Sequence, residues 1–300
     1  MSFIISTHDL TKQYKKFTAV DRVSIHVEKG AVYGLIGRNG AGKTTILKIL
    51  SGLALPTSGE VIYEKIDGRR PRIGALIEEP GLYGNLSAKK NLEIKRLACG
   101  SKNEHEADEL LAFVGLSQWA GVKAGSFSLG MKQRLGIAMA LVGDPDILIL
   151  DEPINGLDPQ GIKDVRIMLK KLTEEQHKTI IISSHLLEEL SKIATVYGVL
   201  DSGRLVNEAS EEEIMSRMPG YVRLIVDPID TAKEVLNSMG IFSYQTKSQH
   251  MLHVLEQIDR REEMIEKMIL AGAHISECQV IRETLEDYYI NITREDAHHA

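Results

Sequence analysis

The chain has 300 residues, enough for a sizeable core and for more than one domain. Its 36 basic and 42 acidic residues give a formal net charge of −6, which argues against a nucleic-acid partner; short basic clusters such as residues 12–16 and 69–72 read as solvated loops. Cys99 and Cys278 stand far apart without metal-ligand spacing, as in a reducing compartment, and no apolar run approaches the roughly 18–20 residues of a membrane span.

In chain order, the start MSFIISTHDLTKQYKK lacks the features of a secretory signal, so a soluble chain is expected. The segment AVYGLIGRNGAGKTTILKILSGL predicts a strand over 31–36, a glycine loop from Gly37 to Gly42, and a helix over 44–50 closed by Ser51 and Gly52. Gly37, Gly42, Lys43 and Thr44 match G-x-x-x-x-G-K-[ST]. Backbone N–H groups of such a loop, here including Asn39 and Gly40, curl around a phosphate chain while the helix turns its positive end toward it. Lys43 then neutralises the terminal phosphates, the Thr44 hydroxyl ligates Mg²⁺, and Thr45 offers a hydroxyl near the α-phosphate.

Next comes IEEPGLYGNL, where Glu78 and Glu79 stand between an apolar run and a proline-glycine break. Helices are expected over 91–97 and 104–114, an insertion into an α/β core. In GSFSLGMKQRLGIAMAL, Ser128 is expected to cap a helix with Leu135, Ala138, Met139 and Val142 on one face. The run PDILILDEP reads as a buried parallel strand that delivers Asp151 and Glu152 to the ligand crevice. Asp151 is assigned to Mg²⁺ through water and Glu152 to orienting or deprotonating the attacking water. An amphipathic helix over 160–177 and a strand over 179–182 follow, the strand ending in Ser183, Ser184 and His185.

After Met218-Pro219-Gly220 the pattern changes. Strand 221–227, helix 231–239, strands 242–247 and 250–255, helix 260–271 and strand 275–281 spell βαββαβ, the ferredoxin-like order, before a helical tail. Met264, Ile265, Met268 and Ile269 are expected to pack against that small sheet.

The order of these motifs resembles the nucleotide-binding subunit of an ABC transporter. The resemblance implies a P-loop NTPase core over residues 1–217, with a helical subdomain at about 85–143, and a small α+β accessory domain over 218–300. It makes Tyr14 the aromatic that stacks on adenine with Val20 beside it, and Ser128 and Gly130 the signature residues, although Leu129 replaces a common glycine. Asp158 in NGLDP falls at the D-loop and His185 at the switch histidine that senses the γ-phosphate. Glu78 takes the place of the Q-loop glutamine, keeping an oxygen toward Mg²⁺ and the attacking water and adding a charge that Mg²⁺ is expected to balance only when nucleotide is bound. Glu79 is expected to be a solvated bystander. A capped helix at Ser128 is a second anion site for a single nucleotide, so it is expected to serve an ATP held by a second nucleotide-binding subunit.

The resemblance further implies an ATPase on the inner face of the cell membrane, driving a separate ABC-2-type permease. IEEPGLYGNL is similar to the bacitracin-resistance and lantibiotic-immunity exporters. The alternative kept at this point is a soluble ABC-type ATPase acting on ribosomes or nucleic acid.

Overall fold

The computed structural model describes residues 3–217, 220–281 and 284–299; Met218 and Pro219 of the expected break lie outside them. Its contacts divide the chain into one unit of residues 1–211 with 292–300 and another of 212–291, so the division falls between Glu211 and Glu212 rather than at 217/218.

The first unit opens with three antiparallel strands, β1 (Phe3–Tyr14), β2 (Phe17–Val23) and β3 (His26–Glu28). Then come β4 (Val32–Ile36), α1 (Lys43–Leu50), β5 (Ser58–Tyr63), which pairs with β1, and β6 (Ile73–Leu76). The helices α2 (Ala88–Cys99), α3 (Glu106–Phe113) and α4 (Leu129–Leu141) follow and pack on one another. The chain returns to the sheet with β7 (Ile147–Asp151), α5 (Pro159–Glu174), β8 (Thr179–Ser184), α6 (Leu187–Leu190), β9 (Val196–Asp201) and β10 (Arg204–Ser210); α7 (Glu211–Arg217) spans the division.

The main sheet has the order β10-β9-β4-β8-β7-β6, parallel except for the β10 edge. Every residue of β4, β7 and β8 is buried, which is why those strands read as unbroken apolar runs: helices or the smaller sheet cover both faces. Residues of β1 to β4 pack with Ile46, Leu47 and Leu50 of α1 into one core.

Helix α4 corrects the one-face expectation. Leu135, Gly136, Ile137, Ala138, Ala140 and Leu141 are all buried, so it is covered nearly all round after its first turn. It also lies against β6, where a Cβ on Gly74 would stand 1.9 Å from the Ala140 carbonyl oxygen.

The second unit contains β11 (Tyr221–Asp227), α8 (Ile229–Ser238), β12 (Tyr244–Ser248), β13 (Met251–Val254), α9 (Arg261–Leu270) and β14 (His274–Ile281), the βαββαβ order; α10 (Leu285–His299) follows. Its antiparallel sheet runs β12-β13-β11-β14. Val222, Leu224, Leu252 and Val254 form its core with Leu236 of α8 and with Met264 and Met268 of α9. Ile269 departs from the expected stripe: it is exposed, because the buried face of α9 is only wide enough for the two methionines and their flanks.

Candidate active site

Three adjacent strands deliver the site. β8 lies between β4 and β7, and the register sets Ser183 against Leu35 on one side and Asp151 on the other. Their carboxyl ends therefore open together, at the edge where parallel α/β sheets hold ligands. β4 runs into the glycine loop, β7 ends on Asp151, and His185 follows the last residue of β8. β6 brings Glu78 to the same edge, two residues beyond the Leu76–Leu150 pair.

The loop closes through Gly42, which caps α1 at φ 103°. A Cβ there would stand 2.5 Å from the Ala19 carbonyl oxygen, so conformation and space both demand glycine. The cavity around the loop, of about 280 Å³, is lined by Asn39, Gly40, Gly42, Lys43, Thr44 and Thr45, together with Phe17, Ala19, Arg38 and Glu152. Gly37 packs beneath it, its Cα facing the Leu200 carbonyl.

Two side-chain chains run along the strand ends. In the first, buried Lys43 donates from Nζ to the Gly37 carbonyl at 2.6 Å and lies 3.3 Å from Oε1 of Glu152. The other oxygen, Oε2, is 2.7 Å from Nδ1 of His185 and also accepts from the His185 backbone N–H at 3.3 Å. In the second, the Thr44 hydroxyl donates to Oδ2 of Asp151 at 2.8 Å, and the fully buried Ser183 hydroxyl donates to Oδ1 at 2.5 Å. Ser183 Oγ also accepts from the backbone N–H of Glu152 at 2.9 Å, tying the two chains together. Glu152 itself sits at φ 48°, a left-handed conformation that costs a non-glycine residue on the order of 1 kcal/mol.

The Thr44 hydroxyl and Asp151 carboxylate suit Mg²⁺. That ion accepts hard oxygens in small number and takes its remaining ligands from phosphates and water.

A second cavity, of about 510 Å³, borders the first through Glu152 and is also lined by Glu78, Glu79, Lys132, Gln133 and Asp151. Glu78 is therefore in the neighbourhood expected of it. Its charge also has a partner that the sequence reading left out: Nζ of Lys48 lies 2.6 Å from Oε1 of Glu78. Glu79 lines the same cavity and is exposed.

Other expected residues fall elsewhere. Val20 is fully buried in the core behind Gly42, and Ala19 takes the cavity wall instead, because alternation along β2 turns the two opposite ways. Tyr14 pairs across the hairpin with Phe17 and carries the Lys12 ammonium 5.0 Å over its ring; Phe17 is the aromatic on the cavity wall. Ser128 caps α4, accepting from the Met131 N–H at 3.3 Å, and Asp158 caps α5, accepting from the Gly161 N–H at 3.0 Å. Ser128, Gly130 and Asp158 do not line the loop cavity. Sequence reasoning left Ser183, Phe17 and Lys48 without roles; the serine pair before His185 and the spacing of Lys48 from Thr44 were the signals available.

The family described as "ABC transporter" matches residues 20–155. The bacitracin transport ATP-binding protein BcrA of Enterococcus faecalis is 39% identical over 295 residues, covering 96% of each chain. The chain belongs to the ABC transporter ATP-binding proteins. The lantibiotic transport ATP-binding protein SrtF of Streptococcus pyogenes is 44% identical over 208 residues, 68% of this chain and 90% of its own. Among solved structures, the dimeric ATP-binding cassette MJ0796 in a post-hydrolysis state with ADP and Pi superposes with a TM-score of 0.62 at 27% identity, over 69% of this chain and 98% of its own. As an ABC ATP-binding protein the chain is an ATPase, and no helix among its described residues is long and apolar enough to cross a membrane.

Proposed function

We propose that the chain is the ATP-hydrolysing subunit of an exporter that removes, or confers immunity to, a peptide antibiotic of the bacitracin or lantibiotic type. The observation that carries the catalytic part is the convergence of Lys43, Glu152 and His185 beside Thr44, Asp151 and Ser183 at three strand ends. Lys43 gives up its loop carbonyl for the terminal phosphates. Glu152, between a lysine and a histidine, orients the attacking water and accepts its proton; His185 holds Glu152 and faces the γ-phosphate. Thr44, Asp151 and Glu78 are the groups that would hold Mg²⁺, which supplies charge neutralisation of the phosphates. Tyr14 and Phe17, cross-strand neighbours, supply the aromatic surface for the adenine.

Ser128, Gly130 and Asp158, away from the loop cavity of their own chain, meet the nucleotide of a second ATP-binding subunit. A separate permease of the ABC-2 type anchors the pair at the inner face of the membrane. Likeness to BcrA across almost the whole of both chains supports the peptide-antibiotic reading.

The test is co-expression with a candidate ABC-2-type permease in a bacitracin-sensitive bacterium. Resistance to bacitracin or to a lantibiotic that Glu152→Gln abolishes is the expected result. ATP hydrolysis with no resistance to any peptide antibiotic removes the cargo assignment and leaves the ATPase.

A further inference from the structure

Lys48 lies on α1 one turn beyond Thr44, and residues four apart on a helix share a face. Its ammonium therefore ties the Glu78 carboxylate to the helix that carries Thr44. The contact is 2.6 Å, with Lys48 mostly covered and the Glu78 side chain 62% exposed. Glu78 has φ 62°, so its peptide sits at a turn off the end of β6. Its carboxylate shares a cavity with those of Glu79, Asp151 and Glu152. Cations near these four include Lys132 on the wall, Lys43 on Glu152, and Lys48 on Glu78.

We propose that Lys48 is a positioning residue for Glu78: it neutralises and parks the carboxylate beside the site and releases it to the divalent cation that enters with the nucleotide. The proposal rests on the reading of Glu78 as a metal-side group. An ion pair open to solvent on one side contributes little to stability. A weak pair is what an exchangeable partner requires, since a strong one would compete with the metal. Without Lys48 the cavity holds one more uncompensated carboxylate. Nucleotide binding without metal should weaken, and the bound complex should take up the cation more readily.

The experiment uses the full chain and a fluorescent ATP analogue, titrated in EDTA and then against Mg²⁺, with Mn²⁺ binding followed by electron paramagnetic resonance. Lys48→Met, with Lys48→Gln as a second form, is expected to weaken metal-free binding about three- to tenfold and to lower the half-saturating cation concentration by a similar factor. Lys48→Arg should restore wild-type values, and in a Glu78→Gln background Lys48→Met should no longer move the cation dependence. If Glu78→Gln shifts the cation dependence but Lys48→Met and Lys48→Gln do not, or shift it equally in both backgrounds, the role of Lys48 is overturned and Glu78 keeps its own. If Glu78→Gln leaves the cation dependence at the wild-type value, the metal-side reading fails and the inference fails with it.

Discussion

Glu152 is gripped from three directions: Lys43 and His185 take its two oxygens and Ser183 takes its backbone N–H. Replacing it with Gln preserves volume but removes the charge that a base needs. Glu152→Gln should lower single-turnover phosphate release by about 10²- to 10⁴-fold while ATP still binds in a fluorescence titration. Ser183→Ala tests the link between the chains. It leaves the Glu152 N–H and one Asp151 oxygen without their partner inside the protein, a loss of about 1–3 kcal/mol that should appear as roughly a tenfold lower kcat with little change in KM for ATP. A larger fall in affinity than in kcat would mean that Ser183 supports the nucleotide rather than the reacting groups. The convergence of Lys43, Thr44, Asp151 and Glu152 was legible because these residues stand in contiguous motifs. Ser183 and Lys48 were not, since their roles come from register between β7 and β8 and from helical spacing toward a different strand.

Between elements, two contacts fix the β6–β7 edge that carries Glu78. One is the approach of α4 to Gly74, where Gly74→Ala would drive a methyl into the Ala140 carbonyl. It is expected to cost on the order of 2–4 kcal/mol, read as a lower urea midpoint; an unchanged midpoint would mean that α4 can shift freely. The other is Asp146, which accepts from both terminal nitrogens of Arg69, at 2.7 and 3.0 Å, and from the Arg72 backbone N–H at 2.7 Å. The Arg69 guanidinium, against the opposing effect of burial, holds the Asp146 carboxyl down at about 2, from an ordinary 3.8. A depressed folded-state pKa gives stability that is complete above the unfolded value and fades as the pH falls toward the folded one. The stability gap between wild type and Asp146→Asn should thus stay level down to about pH 4 and close toward about pH 2 in urea titrations. The strands of the parallel centre were readable as apolar runs. β1, β2 and β5 were not, because irregular register and polar residues on their open face break the alternation that marks a strand.

At the scale of the molecule, the sequence order of the tail was legible as βαββαβ because each element is short, alternating and bounded by turn residues. Legible too were the helix and its Ser128 cap, and with them the expectation that they serve a second subunit's nucleotide; Ser128 does not line the loop cavity of its own chain. The proposed pairing of two ATP-binding subunits makes a sharp claim about this separation. In a two-fold dimer each site combines the loop of one copy with the Ser128 helix of the other. Lys43→Ala and Ser128→Glu homodimers should each be inactive, the first lacking the phosphate cation and the second presenting a carboxylate to the γ-phosphate. A heterodimer of the two keeps one site intact, built from the Lys43 of the Ser128→Glu chain and the Ser128 of the Lys43→Ala chain. If sites act independently, an equal mixture contains half heterodimers with one good site of two, and should recover about one quarter of wild-type ATPase activity. No recovery, with heterodimers verified by differential tags, would mean either that Ser128 serves its own chain or that two intact sites are needed for turnover. Single-turnover hydrolysis by purified heterodimers separates these, because a site completed in trans must still cleave its one ATP.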